Sequence, residues 1–323
     1  MEVVTFSRNV FIPLTRTCRN KCAYCGFRSN DYNFMKPNEV KSLLSKAKNA
    51  VEALFTFGEK PDVYEEFRRK LKMLGYSSFL EYVKSINKLA VNYGFLPHTN
   101  AGVLSYNELK MLKPYNASMG LMLEQAVELE CHRDSPGKKP EKRIKTIKNA
   151  GKLKIPFTTG ILVGIGESRY DRIYSLEVIR DLHENYGHIQ EVIVQNFSPK
   201  KNTPMENFSP PSLKEMVETV KIAREILKDI TIQIPPNLVK NLEPFLKAGA
   251  RDLGGISEIT PDYINPEHPW PRIEDLREEV ERFGFVLKER LPIYPKFVKL
   301  GWFSDEIGKI IEIRADEEGY RKV

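Results

Sequence analysis

Residues 9–26 read NVFIPLTRTCRNKCAYCG. An apolar, β-branched run, which is typical of a buried strand, leads into a loop with Cys18, Cys22 and Cys25 in the spacing C-x3-C-x2-C. The fourth cysteine, Cys131, lies more than a hundred positions further along the chain. Three clustered thiolates without a local fourth ligand predict an iron–sulfur cluster in which one iron is open to an exogenous ligand.

Other interpretations of the cysteine loop fit less well. A structural zinc ion takes four ligands, but the nearby donors are Asp31 and backbone groups, and the nearest histidine is His98. A disulfide framework does not suit four cysteines in 323 residues. Buried structural cysteines do not suit a loop this rich in Arg, Lys and Asn. Zinc therefore stays as the main alternative to the cluster.

Composition limits the cellular context and the partners. The net charge of +7 comes from 50 Lys and Arg against 43 Asp and Glu, which indicates a well-mixed charged surface. The one basic concentration, residues 138–154, lacks interleaved aromatics, so we expect no nucleic-acid partner. The sequence contains no run of 18 apolar residues, so we expect no membrane-spanning helix. Few cysteines and no secretory pattern at the N-terminus predict a cytoplasmic protein.

Short β-rich runs alternate with amphipathic helical patterns along the chain. The predicted strands are residues 9–15, 52–57, 95–100, 116–123, 156–163, 191–197, 231–234 and 251–256. Ser212 and Glu215 predict the start of the helix that follows the sixth strand. The alternation predicts an α/β fold, a (β/α)8 TIM-type barrel that is complete or nearly so. We expect residues 1–301 to form this barrel and residues 302–323 to form an appendage packed on it.

In such barrels, functional residues lie at the carboxyl ends of the strands. The cysteine loop directly follows the first predicted strand. The candidate groups that follow later strands are Gly58, Glu59, His98, Asn100, Glu124, Gly164, Glu167, Gln195, Asn196, Gly254 and Gly255. The sequence therefore predicts one site at this end of the barrel.

The cysteine spacing, with Tyr24 before the last cysteine, resembles the signature of the radical S-adenosylmethionine superfamily. The resemblance implies a barrel of the radical SAM type with a [4Fe–4S] cluster held by Cys18, Cys22 and Cys25. Its open iron would chelate the methionine part of S-adenosyl-L-methionine. Reductive cleavage of that cofactor would then give a 5′-deoxyadenosyl radical.

Further segments resemble cofactor-binding motifs of the same superfamily. Residues 57–59 (FGE) resemble the Gly-Gly-Glu segment that receives the methionine amino group, with Phe57 in place of the first glycine. Residues 160–167 (GILVGIGE) resemble the segment beside the adenine. Arg143 matches a carboxylate-binding arginine, with a surface arginine as the alternative. The cofactor-binding residues that the resemblance implies are Tyr24, Gly58, Glu59, Glu124, Arg143, Gly164 and Glu167.

Three segments narrow the resemblance to one family. They are SMGLMLE (118–124), CHRDSPGKKPEKR (131–143) and GGISEITPDYINPEHPWP (254–271). They resemble CofG, the first subunit of 7,8-didemethyl-8-hydroxy-5-deazariboflavin synthase, which acts in coenzyme F420 biosynthesis. The implied activity is that of a radical SAM lyase. Hydrogen abstraction from 5-amino-5-(4-hydroxybenzyl)-6-(D-ribitylimino)-5,6-dihydrouracil starts a cyclisation that releases ammonia and gives the deazaflavin.

The resemblance also implies partners and leaves alternatives. A CofH-type second subunit would supply the adduct, and a reductant such as ferredoxin or flavodoxin would supply the electron. Candidate substrate contacts are His98, Asn100, Gln195, Asn196, Asp252 and Ser257, with Asp262, His268 and Trp270 in a proline-rich lid or floor; Cys131 is expected to be a lone thiol. One alternative is another biotin-synthase-like enzyme, of the menaquinone-pathway or hydrogenase-maturation type. The other is a zinc-dependent nucleic-acid-binding protein.

Overall fold

The computed structural model describes residues 2–322 as a closed parallel barrel wrapped by helices. The strands are β1 (Val3–Ile12), β2 (Glu52–Thr56), β3 (Leu96–Asn100), β4 (Ser118–Gly120), β5 (Phe157–Val163), β6 (Ile189–Asn196), β7 (Thr231–Gln233), β8 (Asp252–Ile256) and β9 (Val286–Glu289). Neighbours β2 to β8 pair in chain order, and β1 joins β8 to β2. This closure confirms the predicted (β/α)8 barrel.

Helices follow the strands along the outside of the barrel. They are α1 (Pro37–Lys46), α2 (Glu65–Met73), α3 (Phe79–Asn92), α4 (Tyr106–Leu112), α5 (Pro140–Lys152), α6 (Arg169–Tyr186), α7 (Leu213–Ile226), α8 (Glu243–Ala248), α9 (Ile273–Arg282), α10 (Pro295–Lys299) and α11 (Asp305–Arg314). Ser212 caps α7 by accepting a hydrogen bond from the Glu215 N–H, as its sequence predicted. Within residues 2–322, no helix has both the length and the apolar character needed to cross a membrane.

The first strand begins six residues earlier than its sequence predicted. β1 starts at Val3 because its first half pairs with β8 and with β9, a strand that the sequence did not predict. Its second half, from Asn9 to Ile12, pairs with β2. The sequence did not predict residues 3–8 as a strand because polar residues, including Thr5 and Ser7, alternate there. These side chains are buried, and they form hydrogen bonds instead of apolar contacts.

The fourth strand is shorter than predicted, covering three residues instead of eight. The chain turns away where Glu124 adopts a left-handed conformation with φ of 65°. Its N–H still donates to the Gly160 carbonyl oxygen at 3.1 Å, so the turn stays attached to β5. This departure from strand geometry points the Glu124 side chain toward the cavity described below.

An apolar cluster lies where the chain's C-terminal part meets the amino end of the barrel. It joins residues beside β2 and β3 to residues of α10 and α11; its larger members are Val51, Leu96, Leu291, Ile293, Phe297, Ile307 and Ile311. The segment from residue 302 onward therefore packs on the barrel through α11. The domain boundary at 301/302 stays a prediction.

Candidate active site

A cavity of about 420 Å³ lies inside the barrel and opens at the carboxyl ends of the strands. It brings together most of the residues that the sequence singled out. Those that line it are Cys18, Cys22, Tyr24, Cys25, Gly58, Glu59, His98, Asn100, Glu124, Arg143, Gln195, Asn196, Gly255, Asp262 and Trp270. The cysteine loop and the proline-rich loop thus border the same space.

The cysteine loop offers partially buried thiols with hydrogen-bond donors around them. The Cys18 sulfur accepts from the backbone N–H groups of Asn20 at 3.4 Å and Glu59 at 3.2 Å. The Cys22 sulfur accepts from the Ser135 hydroxyl at 3.4 Å. Burial raises the pKa of the Cys18 and Cys22 thiols, and N–H and O–H donors favour the thiolate form that binds iron. The donor set therefore fits an iron–sulfur cluster.

The thiols do not converge on one point. Across residues 2–322, no group of three or more His, Cys, Asp or Glu side chains is close enough to hold a single metal ion. A [4Fe–4S] cluster binds each thiolate at a different iron, so three separated sulfurs around a shared space suit it. Cys131 is a free, buried cysteine. Its backbone carbonyl oxygen accepts a hydrogen bond from the Ala23 N–H at 2.9 Å, and this bond anchors the cysteine loop.

Gly58 and Glu59 hold the first cysteine in place. A Cβ at Gly58 would lie 2.0 Å from the Thr17 carbonyl oxygen and 2.9 Å from the Cys18 Cβ, so only glycine allows this close approach. The Glu59 carboxylate is paired with Arg19 at 2.6 Å and accepts the Val103 N–H at 3.0 Å. The Phe57-Gly58-Glu59 segment is therefore built against the cysteine loop.

We expect Gly58→Ala to displace the cysteine loop while leaving the barrel folded. The added methyl group meets backbone atoms of Thr17, which cannot turn aside as a side chain can. Iron and sulfide bound per chain after anaerobic reconstitution should fall severalfold, with far-UV circular dichroism unchanged. Gly75→Ala is the control, because a Cβ there meets nothing within 4 Å, although its φ of 84° adds some strain. Full cluster content in Gly58→Ala would contradict the argument.

A buried ion network lies beside the cysteines. The Glu124 carboxylate pairs with Lys138, and the Arg143 guanidinium lies 3.7 Å from it. Burial alone would raise the pKa of Glu124, but Lys138 and Arg143 outweigh burial and hold that pKa below its usual value. Arg143 also donates to the carbonyl oxygens of Met122 at 2.6 Å and Gly137 at 3.0 Å. Because Arg143 is only 3% exposed, the surface-arginine alternative is wrong.

Tyr24 connects the cysteine loop to the loop that follows β4. Its hydroxyl is hydrogen bonded to His132 Nε2 at 2.9 Å, and Lys138 lies 5.9 Å from the centre of its ring. Burial lowers the pKa of His132 to about 4, so the imidazole is neutral near pH 7 and shares a hydrogen bond with the tyrosine hydroxyl. His132, which lies in the loop after β4, thus orients Tyr24.

Gly164 and Glu167 shape a loop of their own. The Glu167 carboxylate accepts from the N–H groups of Gly164 and Ile165, both at 2.8 Å, and lies 3.3 Å from Arg172. Gly164 has a φ of 94°, which favours glycine. Neither residue is among those that line the cavity. Their predicted contact with the adenine stays a prediction.

The structure corrects three of the expected substrate contacts. Asp252 lies at the amino end of β8, where Arg290 holds it, rather than at the mouth of the barrel. Ser257 bonds Thr260 at 2.7 Å, and His268 bonds Ser198 at 3.1 Å; neither lines the cavity. In all three cases the side chain is occupied by a hydrogen bond to another side chain.

Sequence reasoning missed several polar residues of the cavity. They are Glu52, Lys138, Glu191, Asn237 and Arg290. Glu52 and Glu191 lie on strands, facing inward, where a charged residue gives no loop signal. Only the two-residue alternation of the strands marks them, because Leu54 and Ile193 face the same way. Lys138 was hidden in a basic run that reads as a solvated surface.

Comparisons with known proteins agree with this geometry. The model of the radical SAM superfamily matches residues 12–179. A protein of Archaeoglobus fulgidus named 7,8-didemethyl-8-hydroxy-5-deazariboflavin synthase is 64% identical over 324 residues, covering 100% of both chains. Proteins with the same name from Methanosarcina barkeri and Methanocaldococcus jannaschii are each 53% identical, covering 99% and 97% of this chain and 99% and 90% of their own.

Solved structures share the fold at low identity. Methylornithine synthase (PylB) aligns with a TM-score of 0.63 and 20% identity over 87% of this chain and 81% of its own. HydG, a maturase of the [FeFe]-hydrogenase, aligns with a TM-score of 0.69 and 16% identity over 95% of this chain and 68% of its own. These likenesses show the barrel alone, whereas the full-length relatives decide the family. The chain belongs to the radical SAM superfamily and, within it, to the family of 7,8-didemethyl-8-hydroxy-5-deazariboflavin synthases.

Proposed function

We propose that this chain is the radical SAM lyase that closes the deazaflavin ring in coenzyme F420 biosynthesis. The observation that carries the proposal is the meeting of the cysteine loop, the Gly58-Glu59 segment and the Glu124 ion network in one cavity. Full-length identity of 64% to a named deazariboflavin synthase supports the substrate class. The adduct of a hydroxybenzyl group and a ribityl-substituted dihydrouracil would enter this cavity and leave as 7,8-didemethyl-8-hydroxy-5-deazariboflavin and ammonia.

Cys18, Cys22 and Cys25 would hold the [4Fe–4S] cluster, with S-adenosyl-L-methionine on its open iron. Bound together and reduced, the two would supply a 5′-deoxyadenosyl radical able to remove one hydrogen atom from the substrate. The chain's own task is to hold the reacting carbon nearby and to keep water out. Phe11, Leu54 and Ile193 line the cavity with apolar surface that suits this task.

The Glu124 network is the proposed holder of the methionine part of the cofactor. Arg143 and Lys138 present positive charge toward the cavity, and a carboxylate there would share their hydrogen bonds with Glu124. Glu124 itself stays ionised and suits an ammonium or ribose hydroxyl group. Glu124 keeps a left-handed backbone, a conformation that costs free energy in a non-glycine residue and is enriched at functional sites. Tyr24 and Gly58 would flank the same group.

The partners follow from the chemistry. A CofH-type second subunit would make the adduct, and a low-potential carrier such as ferredoxin or flavodoxin would reduce the cluster. Both belong to a reducing compartment, so we propose the cytoplasm as the location. The mouth of the cavity between the cysteine loop and the proline-rich loop is the route by which the adduct would arrive.

The test is anaerobic reconstitution with iron and sulfide, followed by reductant, S-adenosyl-L-methionine and the adduct. We expect a fluorescent deazaflavin to form together with 5′-deoxyadenosine and methionine. If 5′-deoxyadenosine forms without the deazaflavin, the chain acts in another branch of the superfamily. One zinc and no sulfide per chain would instead refute the cluster, and with it the radical mechanism.

A further inference from the structure

The cavity changes in character with depth. On β2 the side chains that line it are Glu52, Leu54 and Thr56, and on β6 they are Glu191, Ile193 and Gln195. Successive inward side chains on a strand lie roughly 6–7 Å apart, so each strand crosses a polar level, an apolar level and a second polar level. We call these levels the floor (Glu52 and Glu191, with Asn9 paired to Glu52), the waist (Phe11, Leu54, Ile193) and the rim (Thr56, Asn100, Gln195); His98 lies opposite Leu54 in the strand pairing and adds one polar group at the level of the waist.

The charges of the floor are unequally satisfied. Arg290 donates to Asp252 at 2.7 Å and to Glu191 at 3.0 Å, so its guanidinium is already occupied. The Glu52 carboxylate accepts one hydrogen bond, from the Ser7 hydroxyl to Oε2, and its Oε1 has no partner among residues 2–322. Glu52 is 5% exposed. The floor therefore holds a carboxyl group with hydrogen-bonding capacity left over.

Asn9 adds a second unsatisfied group beside Glu52. Parallel pairing sets Asn9 opposite Glu52 in the barrel wall, so both side chains face inward. Asn9 is 2% exposed, and in the part of the chain described here neither its amide nitrogen nor its amide oxygen has a hydrogen-bond partner. A buried amide without partners is costly, which makes a bound ligand the natural complement.

Gly255 opens this pair to the cavity. A Cβ at Gly255 would lie 2.1 Å from the Asn9 amide nitrogen and 3.8 Å from Glu52 Oε2. Gly255 itself lines the cavity. Any larger residue at this position would fill the space between the cavity and the Asn9–Glu52 pair.

The chemistry of the floor suits hydroxyl groups. An amide and a carboxyl that both need partners are complemented by groups that donate and accept at once, as each hydroxyl of a polyol does. Burial raises the pKa of Glu52 to about 7, although Arg290 opposes the rise, so Glu52 accepts when ionised and also donates when neutral. The apolar waist above suits the faces of a flat, conjugated ring instead.

We propose that Asn9 and Glu52 form a subsite for the hydroxyl groups of the ribityl chain, with the fused ring of the deazaflavin held in the waist. The inference rests on the proposed function and deepens it, because it assigns a depth and an orientation to the substrate. The polyol would point down the barrel, and the ring would lie between it and the cysteine loop.

The experiment measures binding rather than turnover. Two probes are titrated into the reconstituted holoenzyme with S-adenosyl-L-methionine and no reductant, and ligand fluorescence gives the dissociation constants. One probe is 7,8-didemethyl-8-hydroxy-5-deazariboflavin, and the other carries a methyl group in place of the ribityl chain. The unaltered enzyme should bind the ribityl compound about tenfold or more tightly than the methyl analogue, which is the effect of a few hydrogen bonds.

Asn9→Leu and Glu52→Gln should each raise the dissociation constant of the ribityl compound about fivefold to tenfold. The dissociation constant of the methyl analogue should change by less than about twofold. Leu54→Ala, one level higher on β2, is the matched control. It removes contact with the ring, so it should weaken the binding of both probes equally. Glu52→Gln keeps the shape of the side chain, so it guards against a folding defect in Asn9→Leu.

Three results would overturn the inference. The first is that the unaltered enzyme binds both probes equally. The second is that the floor variants weaken the binding of both probes to the same extent, which would place the ring in the floor. The third result is that neither probe binds. Deazaflavin formation by the unaltered enzyme tests the proposed function separately. If the enzyme forms the deazaflavin but binds both probes equally, the subsite is overturned and the proposed function stands.

Discussion

Replacing Cys18, Cys22 or Cys25 by alanine is expected to abolish cofactor cleavage. Each thiolate would bind one iron, and the hydrogen bonds from Asn20, Glu59 and Ser135 cannot substitute for a lost ligand. Loss of groups that merely support metal ligands costs 10- to 100-fold, so loss of a ligand should lower 5′-deoxyadenosine formation by more than about 100-fold. Product chromatography after a fixed anaerobic incubation, with iron and sulfide per chain, measures both effects.

Cys131→Ala is the matched control for these three variants. It removes the remaining cysteine, which is buried next to the loop and is also a free thiol. Burial raises the pKa of Cys131 to about 12, so it is a neutral thiol and a poor iron ligand. We expect it to keep the cluster. If Cys131→Ala lost cofactor cleavage and Cys25→Ala retained it, Cys131 rather than Cys25 would be the third cluster ligand.

Replacing Arg290 by methionine is expected to cause the largest loss of stability. Its guanidinium is 3% exposed and is shared between Asp252 and Glu191. Removing it leaves two buried carboxylates without a positive partner, which costs about 3–5 kcal/mol in comparable buried pairs. That is a large part of the 5–15 kcal/mol by which most folded proteins are stable. Urea unfolding of the apoprotein, followed by circular dichroism, gives the change in free energy.

Two further variants show whether charge is the cause. Adding Asp252→Asn and Glu191→Gln to Arg290→Met removes the uncompensated carboxylates and should recover part of the lost free energy. Arg180→Met breaks an exposed pair with Asp181 and should leave the unfolding midpoint unchanged. An Arg290→Met protein as stable as the unaltered one would contradict the role given to the network.

The sequence predicted the barrel because its signals are local and repeated. Each strand is a short apolar run, and helix starts such as Ser212 carry their own capping signal. The cysteine loop and Glu124 were found since they follow strands in a fold whose functional end is known in advance. β9 was missed because four residues carry too little pattern, and its partner in β1 lies at the other end of the chain.

The cavity floor was not predictable for a different reason. Glu52 begins β2 and Glu191 lies within β6, and only tertiary structure brings them to Arg290. Asn9 looked like the start of a strand and proved to be the middle of one. The two-residue alternation groups such residues on one face of a strand, but it does not tell whether that face is the inside of the barrel. That depends on contacts distant in sequence, such as the one that brings Arg290 to Glu191.

The pairing of β1 has a consequence for the order of events during synthesis. β1 carries the cysteine loop at its end, yet Val3 to Phe6 pair with β9, at residues 286–289. β1 can therefore be fixed along its full length only after residues 286–289 have been made. Contacts this distant in sequence form late. The first half of β1 thus waits for β9, whereas the half that leads into the cysteine loop needs only β2 beside it.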